Sequence, residues 1–429
     1  MANNEIRVEH IWVDGDGKQV GARLAFNGGS ERTLDVSVQE LQQYSGKLDN
    51  AVVMKYGVRA KIGHEPTRKE LERNTGKPVA TYVLMHADAE VCRVYTVQNT
   101  IEMTNAALLP FYLTGENLTV IRFLEWLNYR IDNLSRTYMN RVYILRKVGR
   151  DRERILRDSC AISVTDNYWA HRSDVETTWQ ELKARRDTDK ELANTALTGE
   201  ISEAQYKNAV DDATSLYTIK GAFPKGVLRE FILKKDNNAE HEAVASELGR
   251  VLDISVAEAE KQADGVVACR IFTSEDVSMV HARDLLHLTD YDTNVGDDQH
   301  RALYDYFDQQ DRYDIMWQLE RLYIFNYLVI NLDFHYENFG FLYDSSTFEI
   351  LGVAPAYDFN SAFAEYSDVN VFYEWITERL ALFLRDHPDI AERLQSKEFI
   401  DSLSQADLTD EQKRCVRLRA EFICELSGL

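Results

Sequence analysis

Between Asp314 and Ile330 the apolar residues first recur at helical spacing and then close round the whole circumference, from Leu322 through Phe325 to Leu328. That is the pattern of a helix running into a core, and Asp314 is its expected N-cap. The first hundred residues read differently. Ile6 to Phe26 is β-prone on both sides of Val13-Asp14-Gly15-Asp16-Gly17-Lys18, which predicts a hairpin, and further strands are expected at Ala51 to Tyr56, Ala80 to His86 and Val91 to Val97. Helical spacing then governs Leu118 to Ile131 and Arg136 to Val148, while residues 171–213 are polar and helix-prone with two breaks, as in an insertion or arm. Further on, Val227 to Lys234 reads as a strand, Ala239 to Leu252 as a helix, and Gly265 to Phe272 and Phe348 to Val353 as strands. The C-terminal part is helical at Tyr373 to Arg385, Ile390 to Leu394 and Thr409 to Leu426, the last opened by a Thr409-x-x-Gln412 capping box.

The predicted core helix ends on Asn331-Leu332-Asp333-Phe334-His335-Tyr336-Glu337-Asn338. An Asp and an Asn five residues apart after such a helix have the layout of a phosphoryl-transfer loop, in which the Asp accepts the proton of the attacking hydroxyl and the Asn holds magnesium. Asp358, emerging from the Phe348 to Val353 strand, stands where such enzymes keep a second magnesium ligand. One carboxylate and one amide oxygen are adequate for a hard cation that keeps most of its ligands from phosphate and water. By itself Asp-x-x-x-x-Asn is a weak signal, and two turn-forming Asx clusters are the bland alternative.

Taken together, Asn-x-Asp-x-His-x-x-Asn-Phe at 331–339 and Pro-x-Tyr-Asp-x-x-Ser-Ala at 355–362 resemble the HipA-like serine/threonine kinases of bacteria. The resemblance directs attention upstream, to Gly221-Ala222-Phe223-Pro224-Lys225-Gly226, which is similar to the Gly-Ala-x-x-Lys loop of those kinases. Glycine lets backbone amides approach phosphate, so Gly221, Ala222 and Lys225 are candidate ATP-binding residues. The loop is not a Walker motif, since no Gly-Lys-Ser/Thr step opens a helix. The resemblance also places Thr218 at the position of the serine that these kinases autophosphorylate. Lys234 matches the strand-end lysine better than Lys235, and Glu242, in the first turn of the next helix, is its best partner, ahead of Glu240. Ser163-Val164-Thr165-Asp166-Asn167-Tyr168-Trp169 resembles a further element of some HipA-like sequences. His335 joins the candidate ATP-binding residues, but a residue at its position more often bonds the backbone and fixes the loop.

Composition narrows the remainder. A length of 429 residues suggests two to three domains. Five cysteines, odd in number and without Cys-x-x-Cys spacing, argue for reduced thiols, and the ten histidines form no zinc pair. No apolar run reaches the length of a membrane span and the N-terminus lacks a signal peptide, so the expected location is cytoplasmic. A formal net charge of −22 opposes direct nucleic-acid binding, and the richest cationic stretch, Arg141 to Arg157, reads as a solvated helix face.

These readings converge on an α+β chain with a two-lobed protein-kinase-like fold behind an N-terminal β-rich accessory region. The expected divisions are 1–115 for that region, 116–154 for a helical connector, 155–285 for an N-lobe with a polar helical insertion, and 286–429 for a helical C-lobe. The resemblance implies ATP and Mg2+ as cofactors, with Asp333 as base, Asn338 and Asp358 on the metal, and Lys234 with Glu242 clamping the phosphates. It further implies a protein substrate and a toxin role with an antitoxin partner. Two alternatives stay open: a small-molecule phosphotransferase of the aminoglycoside type, and a pseudokinase acting as a nucleotide-gated binding module.

Overall fold

The computed structural model describes residues 5–13, 19–27, 32–37, 80–115, 118–130, 138, 141–142, 152–184, 190–200, 224–236, 238–287, 297–370 and 378–428. The chain divides into two compact units, Met1–Asn128 with Trp169–Glu176, and Tyr129–Tyr168 with Thr177–Leu429. This division falls elsewhere than at 115 and 154, where the change in sequence texture places the boundaries.

The first unit is mainly antiparallel sheet. Strands β1 (Glu5–Val13), β2 (Gln19–Asn27) and β3 (Arg32–Ser37) form one meander. The expected hairpin is thus present, while its turn lies outside the described residues, as do the strand expected at 51–56 and most of the helix expected at 136–148. Strands β4 (Thr81–His86), β5 (Ala89–Tyr95) and β6 (Thr100–Met103) form a second meander. Helix α1 (Val120–Tyr129) buries Val120, Phe123, Trp126 and Leu127, a three-to-four-residue repeat that defines one apolar face.

In the second unit α2 spans Arg152–Ser159. Strand β7 (Tyr168–Arg172), all but its first residue part of the first unit, adds to the β4 edge in the order β6-β5-β4-β7, so residues 171 and 172 are strand rather than the start of a polar helical insertion. Two short helices follow, α3 (Trp179–Ala184) and α4 (Lys190–Thr198). The latter is no free arm: it packs on the next strand so closely that a Cβ on Gly226 would lie 3.0 Å from the Ala193 carbonyl oxygen.

The expected single strand over 227–234 is instead a hairpin of β8 (Lys225–Leu228) and β9 (Phe231–Lys234), turning at Arg229, whose φ is 55°. Polar Arg229 and Glu230 interrupt the apolar run and take the turn. Helix α5 (Glu240–Leu252) follows, and β10 (Ala259–Lys261) and β11 (Val267–Arg270) complete a sheet of order β10-β11-β9-β8. This sheet with α5 is the smaller lobe.

The larger lobe holds β12 (Val277–His281), α6 (Ala282–Leu285), α7 (Asp297–Asp308) and α8 (Tyr313–Leu328). It continues with β13 (Gly340–Asp344) and β14 (Ile350–Val353), which pair with β12 in the order β12-β13-β14. Phe348, expected in the last strand, sits in the preceding turn at φ 62°. Helix α8 is buried all round from Leu322 onward, as its sequence requires. Asp314 is not its N-cap, however. Arg312 occupies that position and Asp314 lies in the first turn, where its carboxylate accepts from the Arg312 guanidinium at 3.0 and 2.9 Å.

Helices α9 (Glu378–Asp386), α10 (Asp389–Leu394), α11 (Lys397–Gln405) and α12 (Asp410–Ser427) end the chain. Helix α12 begins at the expected capping box of Thr409 and Gln412 and packs on α8, while α11 packs on α5. Among the described residues the five cysteines are buried and form no disulfide, and no helix is long and apolar enough to cross a membrane.

Gly340 fixes the distance between β12 and β13. A Cβ there would lie 2.1 Å from the Val280 carbonyl oxygen, a backbone atom with no freedom to yield. Gly340→Ala is therefore expected to cost about 3 kcal/mol, the upper end for overpacking, and an unchanged urea midpoint would contradict this contact.

Candidate functional site

The loop after α8 alternates in character, Asp333-Phe334-His335-Tyr336-Glu337-Asn338-Phe339, and the structure puts the two sets on opposite sides. Phe334, Tyr336 and Phe339 are buried in an aromatic cluster, with Phe334 5.3 Å from Tyr323, Phe339 5.2 Å from Phe334 and Tyr336 5.4 Å from Phe339 by ring centroids. Asp333, His335, Glu337 and Asn338 are left partly exposed. An apolar anchor on every second residue thus immobilises the polar ones.

Hydrogen bonds complete the loop's shape. Ile330 adopts φ 52°, Asn331 Nδ2 donates to Asn326 Oδ1 at 2.9 Å, and the Asp333 amide donates to Asn331 Oδ1 at 3.2 Å. Asn338 Nδ2 donates to the Asp333 carbonyl at 2.7 Å and to its carboxylate at 3.1 Å, so it is the amide nitrogen, not the oxygen, that holds Asp333. His335 Nδ1 accepts the Glu337 amide at 3.2 Å, the backbone role expected of it, and its Nε2 lies 3.4 Å from Asp333 Oδ1. Arg283 holds Glu337 in an ion pair.

The second loop is pinned against the first. The Leu332 amide donates to the Ser361 carbonyl at 3.2 Å and the Phe363 amide to the Val329 carbonyl at 2.6 Å. Asp358, at φ 66°, meets two ammonium groups, Lys234 Nζ at 2.7 Å and Lys225 Nζ at 3.5 Å. Lys234 also bonds Glu242 Oε1 at 2.5 Å, and the same oxygen accepts the Phe359 amide at 2.9 Å. Lys234, at the end of β9, Glu242, in the first turn of α5, and Asp358, beyond β14, therefore form one buried cluster.

Burial alone would lower the Lys234 pKa, but the Asp358 and Glu242 carboxylates override it and hold the ammonium well above the ordinary lysine value. For Asp358 burial acts upward, and the Lys225 and Lys234 ammoniums override it, keeping the carboxyl well below the usual carboxylate range. Both groups are charged throughout the neutral range. The stability Asp358 contributes is present above its ordinary value of 3.8 and is lost as pH falls through its depressed folded value. That of Lys234 is present below its ordinary value of 10.5 and is lost as pH rises through its raised one.

The structure thus brings Lys225, Lys234, Glu242 and Asp358 together, and joins Asp333, His335 and Asn338 in one loop. Gly221, Ala222 and Thr218 lie outside the described residues. Sequence reasoning gave Asn326 no role and carried Asn331 and Tyr357 only as motif positions; the Tyr357 hydroxyl makes bonds of 3.1 Å to His281 Nδ1 and 3.3 Å to the Glu337 carbonyl.

Residues 200–417 match the model of the HipA-like C-terminal domain. The chain belongs to the HipA-like family. Its fold corresponds to a chain of the Shewanella oneidensis MR-1 toxin–antitoxin complex of HipA, HipB and operator DNA, at 14% identity over 81% of this chain and 100% of that one, with a TM-score of 0.51. The Helicobacter pylori proinflammatory kinase CtkA aligns at 18% identity over 46% of this chain and 86% of that one, with a TM-score of 0.32. Comparison with curated proteins gives no match.

In this HipA-like chain Lys234 is the keystone charge. Lys234→Met is expected to destabilise the fold by about 3–5 kcal/mol, because it leaves Glu242 and Asp358 buried with less cationic compensation. The partly exposed Lys235 should tolerate the same change within about 0.5 kcal/mol. The Lys234→Met deficit should narrow as pH falls, since the Asp358 carboxyl, held down by one lysine instead of two, then takes up a proton more readily. Denaturant titrations of both variants from neutral to acid pH check this, and equal effects at Lys234 and Lys235 would overturn it.

Proposed function

We propose that this HipA-like chain is an ATP- and magnesium-dependent kinase that transfers a phosphoryl group to a serine or threonine hydroxyl of a protein. The observation that carries the reading is Lys234 bonded to both Glu242 and Asp358, beside a loop in which Asn338 orients Asp333. A lysine joined at once to a helix glutamate and to the Asp after the catalytic loop is the phosphate clamp of a kinase, and a scaffold needs none of these groups.

The donor set fits the expected metal. Among the described residues no three His, Cys, Asp or Glu cluster into a metal cage, while Asp358 and the Asn338 amide oxygen offer hard oxygen donors. Such a pair suits a cation that draws its other ligands from phosphate and water. Neutralisation of phosphate charge is what a magnesium ion would supply there.

The chain's own residues do the rest. Lys234 and Lys225 present ammonium groups to the phosphates, and Glu242 keeps Lys234 extended toward them. Asp333, half-exposed and held by Asn338, orients the acceptor hydroxyl and takes its proton as the new oxygen–phosphorus bond forms and the bond to the ADP oxygen breaks. His335 supports Asp333, and the family resemblance makes Gly221 and Ala222 candidate ATP-binding residues and Thr218 the candidate autophosphorylation position. The acceptor is read as a protein and the protein as cytoplasmic. The Shewanella complex pairs HipA with HipB, and this reading extends to a toxin role with an antitoxin partner for the present chain.

Incubation with γ-labelled ATP and magnesium tests the reading, with label expected on the protein itself. Asp333→Asn should lower the rate by about two to four orders of magnitude yet still bind magnesium-ATP, and it should leave Thr218 unmodified. Full autophosphorylation by that variant would remove Asp333 as base. Calorimetry provides the second check: Asp358→Ala and Asn338→Ala should each lose the magnesium-dependent part of ATP affinity, and unchanged affinity in both would refute the metal assignment.

A further inference from the structure

The element Ser163 to Trp169 takes no part in the chemistry above, yet it makes a dense set of bonds to one segment. Residues 271–276 are the covalent link between β11 of the small sheet and β12 of the larger lobe, and they have no regular secondary structure. Three bonds reach this linker and the strand it enters. The Thr273 hydroxyl donates to the Val164 carbonyl at 2.5 Å, Asn167 Nδ2 to the Glu275 carbonyl at 2.7 Å, and the Met279 amide to the Thr165 carbonyl at 2.7 Å. Asn167 is itself buried.

The element is in turn bolted down by a buried ion pair. Arg130 donates to both carboxylate oxygens of Asp166 at 2.8 Å, and its remaining donors reach the Ala161 and Tyr168 carbonyls, each at 2.8 Å. The two side chains are 7% and 11% exposed, so this fork is shielded from solvent competition. Asp166 also accepts the Tyr168 amide at 2.9 Å and the Thr165 hydroxyl at 3.3 Å, which fixes the direction of the carbonyls at 164 and 165.

We propose that Val164, Thr165 and Asn167, locked by the Arg130–Asp166 pair, are a brace of positioning residues that holds the inter-lobe linker and thereby sets the spacing between the lobe carrying Lys234 and the lobe carrying Asp333. The inference rests on the kinase reading for its functional consequence and on the bonds above for its structural one. Fixing a linker residue costs about 1–2 kcal/mol of backbone entropy, and this linker, bonded to neighbouring backbone at its ends by the Ile271 amide donating to the Glu230 carbonyl at 2.8 Å and the Asp276 carbonyl accepting from the Ser345 amide at 2.9 Å, gains further partners for its middle from the brace. An error of about 1 Å in the placement of reacting groups costs on the order of 100-fold in rate, so the spacing is worth holding.

The test uses two near-isosteric variants, Thr273→Val, which removes a donor, and Asn167→Asp, which replaces a donor by an acceptor. Ser278→Ala is the control, because it deletes a buried bond of 2.8 Å to Ser345 in β12 without touching the brace. Hydrogen exchange without nucleotide should show the amides of 274–279 opening about five- to tenfold faster in each brace variant, the worth of one hydrogen bond, and unchanged in the control at matched global stability. The KM for ATP should rise by up to the same factor while the KM for the acceptor stays constant. Linker exchange in the brace variants equal to that of the control would overturn the brace. Faster exchange with an unchanged ATP KM would overturn its positioning role. A wild type that binds no nucleotide defeats the kinase reading instead, and the exchange comparison still decides the brace.

Discussion

The ammonium of Lys234 is the charge on which the second unit is organised. A buried cation is tolerable only when it is paired and fully hydrogen-bonded, and the penalty for losing a partner exceeds the gain from having one. Lys234, at the end of β9, takes its two partners from separate segments, Glu242 from the first turn of α5 and Asp358 from the loop beyond β14. Asp358 lies 124 residues from Lys234, so the cluster specifies long-range register as much as it stabilises. Glu242 extends the constraint by accepting the Phe359 amide, which ties the helix to the backbone beside Asp358.

From that fixed point the two loops are held by different means. Asp358 is held by charge, whereas Asp333 is held by an aromatic floor and a set of neutral hydrogen bonds, and it remains 46% exposed at its side chain. The difference suits the roles assigned to them. A group that must exchange a proton with an incoming hydroxyl has to be reachable and unpaired with cations, while a group that compensates phosphate and metal charge gains from a low-dielectric setting. The backbone bonds between 329 and 363 and between 332 and 361 then keep the two loops in step.

Much of this was legible in the sequence because it is local. Asp333 and Asn338 share one loop, Asp358 follows within the same apolar-then-polar rhythm, and Lys234 and Glu242 stand at the ends of adjacent elements, so the resemblance to HipA-like kinases could place each of them on a short motif. The hairpin at Arg229, by contrast, reads as one strand, since only two polar residues interrupt the run and a positive φ leaves no trace in composition. Asp314 has the chemistry of a cap, and the nearby Arg312 diverts its carboxylate. Arg130 and Asp166 are 36 residues apart and their pairing is a tertiary fact, invisible to any periodicity. Helices α7 and α11 went unread for a related reason: their polar residues dominate, and each is defined by what it packs against.

The site also answers a difficulty posed by composition. A chain of net charge −22 would seem to repel a polyphosphate. At physiological ionic strength, however, the field of exposed carboxylates decays within about 8 Å, whereas charges buried in the cluster act at contact and with little screening. There the balance is two ammoniums, Lys225 and Lys234, against two carboxylates, Glu242 and Asp358, which is close to neutral. A near-neutral cluster neither repels nor strongly attracts a polyanion. On the proposed reading a divalent cation, which Asp358 and Asn338 would hold, would supply the positive charge that the near-neutral cluster lacks, while Lys225 and Lys234 present their ammonium groups to the phosphates.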